Sequence, residues 1–234
     1  MTVPPSGARG VTRRHALAGM AVAVTVLALL GAGVVTGFGP QLRLDTAVSR
    51  AFYAGDARPG WVEALLQVVT APGLSVVRIV VLLPVVVWLL VRRAWWTAAW
   101  VATAALLVGP LTSLLKAAFD RARPQFAGGG AQLSSLSFPS GHSSGVATLV
   151  TVALVLAWPL LAPGVRRPVL AAGAVLVLVV GLSRMWLGVH YLTDVLGGWS
   201  LGVAWSLGVA LAFDALPGGR AALPPRAPLE AAPR

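Results

Sequence analysis

Uncharged stretches long enough to cross a bilayer recur along this chain, with short polar connections between them. Residues 16–38 carry no charge over 23 positions, and a helix needs roughly 20 apolar residues to span the hydrocarbon. Arg9, Arg13 and Arg14 precede this stretch as in a signal peptide, but its length and the spans behind it predict a retained anchor. Residues 74–91 predict a second span, with Arg78 near one end where a long side chain snorkels to the headgroups; the alternative is an Arg78 that faces the bundle interior. Residues 94–115 follow, opening on Trp95 and Trp96 at interfacial depth and carrying Pro110 as a source of a kink. Residues 142–161, 168–184 and 191–213 complete the set. The expected fold is all-α: a polytopic membrane protein built as a bundle of six transmembrane helices, with both termini on one side.

The connections are not uniform. In residues 41–53, Leu42, Leu44, Val48 and Phe52 are spaced for a short helix that lays an apolar face on lipid, the alternative being a loop helix packed on the bundle. Residues 125–137 are rich in Gly and Ser and predict a loop able to move over a site. From Pro217 onward, repeated Pro, Ala and Gly leave little capacity to fold alone. The domain division is therefore 1–15 as an N-terminal segment, 16–216 as the six-span domain and 217–234 as a flexible tail.

Composition agrees with a bilayer as the solvent. Of 234 residues, 57% are apolar and 11% charged, with a mean hydropathy of +0.83. With no cysteine there are no disulfides and no thiolate chemistry. The net charge of +11 is scattered between apolar stretches rather than gathered into a patch, which argues against a nucleic-acid partner. Arg9, Arg13, Arg14, Arg92, Arg93, Arg166, Arg167, Arg220 and Arg226 all fall on the terminal side of the six-span arrangement. By the positive-inside rule that side is cytoplasmic, so residues 39–72, 116–141 and 185–190 face outward from a cell membrane.

Two polar clusters, residues 116–142 and 183–194, lie on that outward side. They comprise Lys116-Ala117-Ala118-Phe119-Asp120-Arg121-Ala122-Arg123-Pro124, then Pro139-Ser140-Gly141-His142, then Ser183-Arg184 followed by His190 and Asp194. In order and internal spacing these resemble the three motifs of the type 2 phosphatidic acid phosphatase (PAP2) superfamily. Any one fragment alone would be weak evidence; together they are specific.

The chemistry of the residues is consistent with that resemblance. Lys116, Arg123 and Arg184 supply ammonium and guanidinium donors for the oxygens of a phosphate, and stabilise charge as a phosphoryl group transfers. Ser140 and Gly141 precede a span, so backbone N–H groups at a helix start can add donors for the anion. His190 and Asp194 lie four residues apart and share a helix face, so that Asp194 can orient the imidazole through one ring nitrogen and leave the other as nucleophile. The resemblance implies a phosphohistidine intermediate on His190, with His142 protonating the leaving oxygen and later helping to activate water. Asp120 and Arg121 occupy variable positions of the first motif and read as an outer-loop ion pair. Trp186 reads as an interfacial anchor.

Three nearby cations disfavour a metal site, and the resemblance implies metal-independent hydrolysis with no cofactor. The glycines at 128–130 lack the lysine and strand context of a nucleotide-binding loop. The expected partners are the bilayer and a lipid bearing a phosphate or diphosphate headgroup, with polyprenyl diphosphate favoured because carrier recycling at the outer face suits the topology. Phosphatidic acid and phosphatidylglycerol phosphate are the alternatives. A vanadate-dependent haloperoxidase, a phosphotransferase and a noncatalytic lipid-binding or transport protein are further readings. Oligomeric state stays open.

Overall fold

The computed structural model describes residues 6–126 and 134–225. Its elements are helices: α1 (Ser6–Val35), α2 (Gly39–Phe52), α3 (Gly60–Thr70), α4 (Ser75–Val91), α5 (Trp95–Phe119), α6 (Gly141–Ala157), α7 (Pro163–Trp186) and α8 (Leu192–Ala212). Five segments are individually long and apolar enough to cross a membrane: Thr12–Val35, Trp95–Phe119, Gly141–Leu160, Pro163–Trp186 and Leu192–Ala212. α3 and α4, bent by 48° across a short 3₁₀ turn, are a sixth candidate when taken together as one broken span. The sequence reading began this span at residue 74 and assigned the residues before it to an outward connection. In the structure the apolar side of α3 packs Leu66 with Leu187 and Val189, beyond the end of α7.

Leu29, Val80, Val91 and Leu114 are exposed around the bundle. In water such a surface would be an aggregation liability, whereas in a bilayer it meets its proper solvent. Trp100, Val101, Ala104 and Val108 of α5 and Val152 of α6 are buried inside. α1 runs antiparallel to α8: Gly19 lies beside Leu207, and Arg13, nearer the start of α1, lies by Leu211 and Asp214 at the end of α8. The start of α5 joins the same end, where the Trp96 ring meets Phe213 edge-on at 6.5 Å. That end gathers the start of α1 and the end of α8, while the other gathers the end of α5, the start of α6, the end of α7 and the start of α8.

Small residues let α6 and α8 touch. A Cβ on Gly198 would lie 2.5 Å from the Ser140 carbonyl oxygen, and one on Gly202 would lie 2.5 Å from that of Ser144. This four-residue glycine spacing brings the helix backbones together where lipid offers no hydrophobic drive for association. It also fixes the start of α6 against the start of α8.

At two segments the structure takes the alternative, and at a third it departs from the sequence reading. Arg78 turns inward rather than to the headgroups: it is buried, with Nε donating to the Ala105 carbonyl at 2.9 Å and a terminal nitrogen to Ser75 Oγ at 3.2 Å. α2 packs on the bundle through its polar side, since Asp45 and Ser49 are buried while Leu44 and Phe52 are exposed. Residues 217–225 fold back on the bundle: Ala221 is buried, its carbonyl accepts from Trp100 Nε1 at 3.3 Å, and Arg220 stacks 4.0 Å over Trp96. The rest of the tail, and residues 127–133 of the Gly/Ser segment, lie outside the described residues.

Replacing Gly202 with Leu should separate α6 from α8 and lower stability in detergent by about 1–3 kcal/mol. Thermal unfolding would read this, and an unchanged midpoint would refute the close-packing account.

Candidate active site

Local backbone geometry aims the polar groups at one another. α5 stops where Asp120 adopts a left-handed conformation (φ 45°), its N–H bonding to the Lys116 carbonyl at 3.0 Å. Lys116 thus sits in the last turn of the helix and Arg121 and Arg123 in the extended segment after it. α6 begins at Ser140, whose Oγ accepts from the Ser143 amide and whose own N–H donates to the Asp194 carbonyl at 2.9 Å. The first-turn amides of Gly141 and His142 have no intrahelical acceptor. Ser140 therefore anchors α6 to α8, leaving anion contacts at this helix start to the amides that follow it.

Asp194 is fully buried in the first turn of α8. One carboxylate oxygen accepts from Arg121 at 2.7 Å. The other accepts from the Tyr191 amide at 2.9 Å and from Ser137 Oγ, and faces His190 Nδ1 at 3.3 Å. Arg121 also bonds Asp45 of α2 at 2.6 Å and Thr193 at 2.8 Å, and Asp45 in turn accepts from the Thr193 amide and hydroxyl. Burial works against the Arg121 charge, but Asp194 and Asp45 outweigh it and raise the guanidinium pKa. The outer-loop Asp120–Arg121 pair read from sequence is replaced by this buried network, because Asp120 serves the helix end instead.

The three cations anticipated from sequence converge beside it. Arg123 donates to the Ser135 carbonyl at 2.7 Å and the Val189 carbonyl at 2.6 Å, and one terminal nitrogen lies 3.3 Å from His190 Nε2. Lys116 Nζ donates to the carbonyls of Leu136 and Ser137. Arg184 is buried and reaches Thr70 Oγ1 at 3.0 Å, while its Nε has no hydrogen-bond partner. A buried donor without an acceptor is costly, so this atom is suited to receive an anionic oxygen.

His190 is buried, and its environment keeps the imidazole neutral. Burial, aided by the charges of Arg123 and Arg184 and opposed by Asp194, lowers its pKa from 6.5 to about 3. With Nδ1–H donated to Asp194, the Nε2 lone pair faces Arg123. His142, in the first turn of α6, borders a cavity of about 670 Å³ together with Lys116 and Gly73. Gly73 presses on it so closely that a Cβ there would lie 2.7 Å from His142 Cβ.

All the site residues named from sequence therefore meet at one end of the bundle: Lys116, Arg123, Ser140, Gly141, His142, Arg184, His190 and Asp194. Sequence reasoning missed Asp45, Arg121, Thr193, Ser137 and Thr70. Asp45 had one available signal, as a carboxylate within the otherwise apolar face of residues 41–53. Among the described residues, no three His, Asp or Glu side chains converge as metal ligands.

The profile of the PAP2 superfamily matches residues 93–216. A phosphatidylglycerophosphatase B of Bacillus subtilis is 37% identical over 166 residues, covering 68% of this chain and 78% of its own. A lipid A 1-phosphatase of Rhizobium johnstonii is 34% identical over 127 residues, 50% of this chain and 48% of its own length. The chain thus spans about half of that second relative. The crystal structure of a transmembrane PAP2 type phosphatidylglycerolphosphate phosphatase from Bacillus subtilis superposes with a TM-score of 0.63 at 30% identity, over 82% of this chain and 94% of that one.

Two measurements follow from the geometry. Asp45→Ala should cost about 1–3 kcal/mol in detergent, because Arg121 keeps Asp194 but loses its second carboxylate and the Thr193 amide is left without its acceptor, and an unchanged stability would contradict the network. In histidine-labelled protein, the His190 resonances should not titrate between pH 5 and 8. Because the unfolded imidazole binds a proton near pH 6.5 and the folded one only near pH 3, the unfolded state holds more protons in that window. Stability should therefore fall as pH drops below about 6.5, and titration of folded His190 near 6.5 would contradict its burial.

Proposed function

Because the chain belongs to the PAP2 superfamily, we propose that it hydrolyses a lipid phosphate through His190, at the membrane face opposite its termini. The observation that carries this reading is the placement of a neutral, Asp194-oriented imidazole beside Lys116, Arg123 and Arg184, one of whose donors is buried without an acceptor.

In the proposed reaction, the three cations and the first-turn amides of α6 hold the phosphate oxygens. The His190 Nε2 lone pair attacks phosphorus as the bond to the leaving oxygen breaks. The departing electron pair stays on that oxygen, which takes the proton of His142, an imidazolium held in its charged form by the bound phosphate dianion. Asp194 stabilises the positive imidazole through Nδ1–H, as a buried carboxylate does for a catalytic histidine. Water then attacks phosphorus and gives a proton to His142, the P–N bond returns its pair to Nε2, and inorganic phosphate leaves. No step calls for a metal.

Among substrates, phosphatidylglycerol phosphate is the reading best supported, since the B. subtilis relative and the matching solved structure both carry that activity in their names. The preference for polyprenyl diphosphate drawn from topology finds no support in these likenesses. Arg13, Arg14, Arg92, Arg93, Arg166 and Arg167 belong to the end of the bundle away from the site, and the positive-inside rule makes this charge bias a support for cytoplasmic termini and an outward-facing site.

Purified protein in detergent with EDTA should release phosphate from phosphatidylglycerol phosphate. His190→Ala should abolish turnover, and His142→Ala should reduce kcat by roughly 10²–10⁴-fold. Undiminished phosphate release by His190→Ala would remove it as nucleophile, and loss of activity in EDTA restored by a divalent cation would contradict the metal-free route.

A further inference from the structure

The cavity beside His142 contains a cation that the proposed reaction does not use. Arg78, in the first turn of α4, is only 2% exposed and lines this cavity together with His142 and Lys116. Its mapped contacts are the Ala105 carbonyl and Ser75 Oγ, both uncharged. Among the described residues none of the ion pairs includes it: Asp45 and Asp194 pair with Arg121, and Glu63 with Arg58. A guanidinium at this depth without a carboxylate carries a desolvation cost that two neutral acceptors only partly offset.

The position of the charge relative to His142 defines its use. A Cβ on Gly145 would lie 2.8 Å from one terminal nitrogen of Arg78. Gly145 follows His142 by three residues, so the guanidinium lies against α6 about 4.5 Å further along the helix axis. It therefore borders the same cavity as the imidazole that faces the leaving oxygen in the proposed reaction, and glycine at 145 provides the space. Leu74, Val76, Val108 and Pro110 add apolar lining beside the hydroxyls of Thr112, Ser113 and Ser144.

We infer that Arg78 is a second anion subsite that binds a phosphoryl group within the leaving part of the substrate, and so selects lipids bearing two phosphoryl groups over simple monoesters. This rests on the reading of His142 as the group facing the leaving oxygen. The shared chemistry is a second phosphate, supplied by the phosphodiester of phosphatidylglycerol phosphate or by the inner phosphate of a prenyl diphosphate. Phosphatidic acid has neither.

The test compares kcat/KM in matched pairs: dioleoyl phosphatidylglycerol phosphate against dioleoyl phosphatidic acid, and farnesyl diphosphate against farnesyl phosphate. In Arg78→Gln the two-phosphate preference should fall by about 10- to 100-fold, with Arg78→Lys retaining part of it. The pair that responds identifies the source of the second phosphate. An unchanged ratio in both pairs would overturn the subsite and leave Arg78 as a tie between α4 and α5. A second measurement on wild-type protein does not depend on the variant folding: an alkyl methylenediphosphonate should protect against thermal unfolding more than the matching alkyl phosphonate. Equal protection would likewise overturn the proposal. If wild-type protein hydrolyses no lipid yet still prefers the diphosphonate, the hydrolytic function fails while the subsite stands.

Discussion

The Asp194 carboxylate organises the polar end of the molecule. It is withdrawn from solvent at the start of a membrane helix, where an unsatisfied charge would be prohibitive. Its two oxygens accept from Arg121, Ser137 and the Tyr191 amide, and face the His190 ring. These partners come from three separate stretches of chain, so satisfying one carboxylate fixes the segment after α5, the approach to α6 and the start of α8 together. Its backbone takes part as well, because the Asp194 carbonyl receives the Ser140 amide. Asp45 extends the network to α2 through Arg121 and Thr193.

Such a network needs helices that approach closely, and the α6–α8 contact provides them. Gly198 and Gly202 bring the α8 backbone against Ser140 and Ser144, which sets the distance between the helices carrying His142 and Asp194. At the opposite end, apolar packing and the return of residues 217–225 onto α5 close the bundle. The division suits the environment: the hydrocarbon-facing surface is permissive, and the demanding contacts are confined to one end.

Legibility in the sequence followed the range of the interactions. His190 and Asp194 could be paired from their four-residue spacing, and the spans from the length of their apolar runs, because both signals are local. The Asp45–Arg121 pair is separated by 76 residues, and no local pattern reports it. Arg78 was ambiguous for a physical reason: an arginine near a helix end has the same sequence context whether it reaches outward to headgroups or inward to a carbonyl. The two readings of α2 could not be separated from its apolar spacing, because the burial of its single aspartate needs an arginine from another segment. The tail's Pro and Gly content indicated poor autonomous folding but was silent about docking, which depends on the Trp96 and Trp100 side chains of α5.

The 3₁₀ turn between α3 and α4 touches the proposed reaction centre on two sides. Thr70 just before it holds the Arg184 side chain, and Gly73 at its end lies on His142. A few consecutive residues thus act as a spacer between groups carried by α7 and α6, so the gap between the Arg184 guanidinium and the His142 imidazole is gauged by a short turn rather than by the average posture of long helices. Dimensions set by so short a ruler are insulated from the tilting and breathing of the bundle in a fluid bilayer.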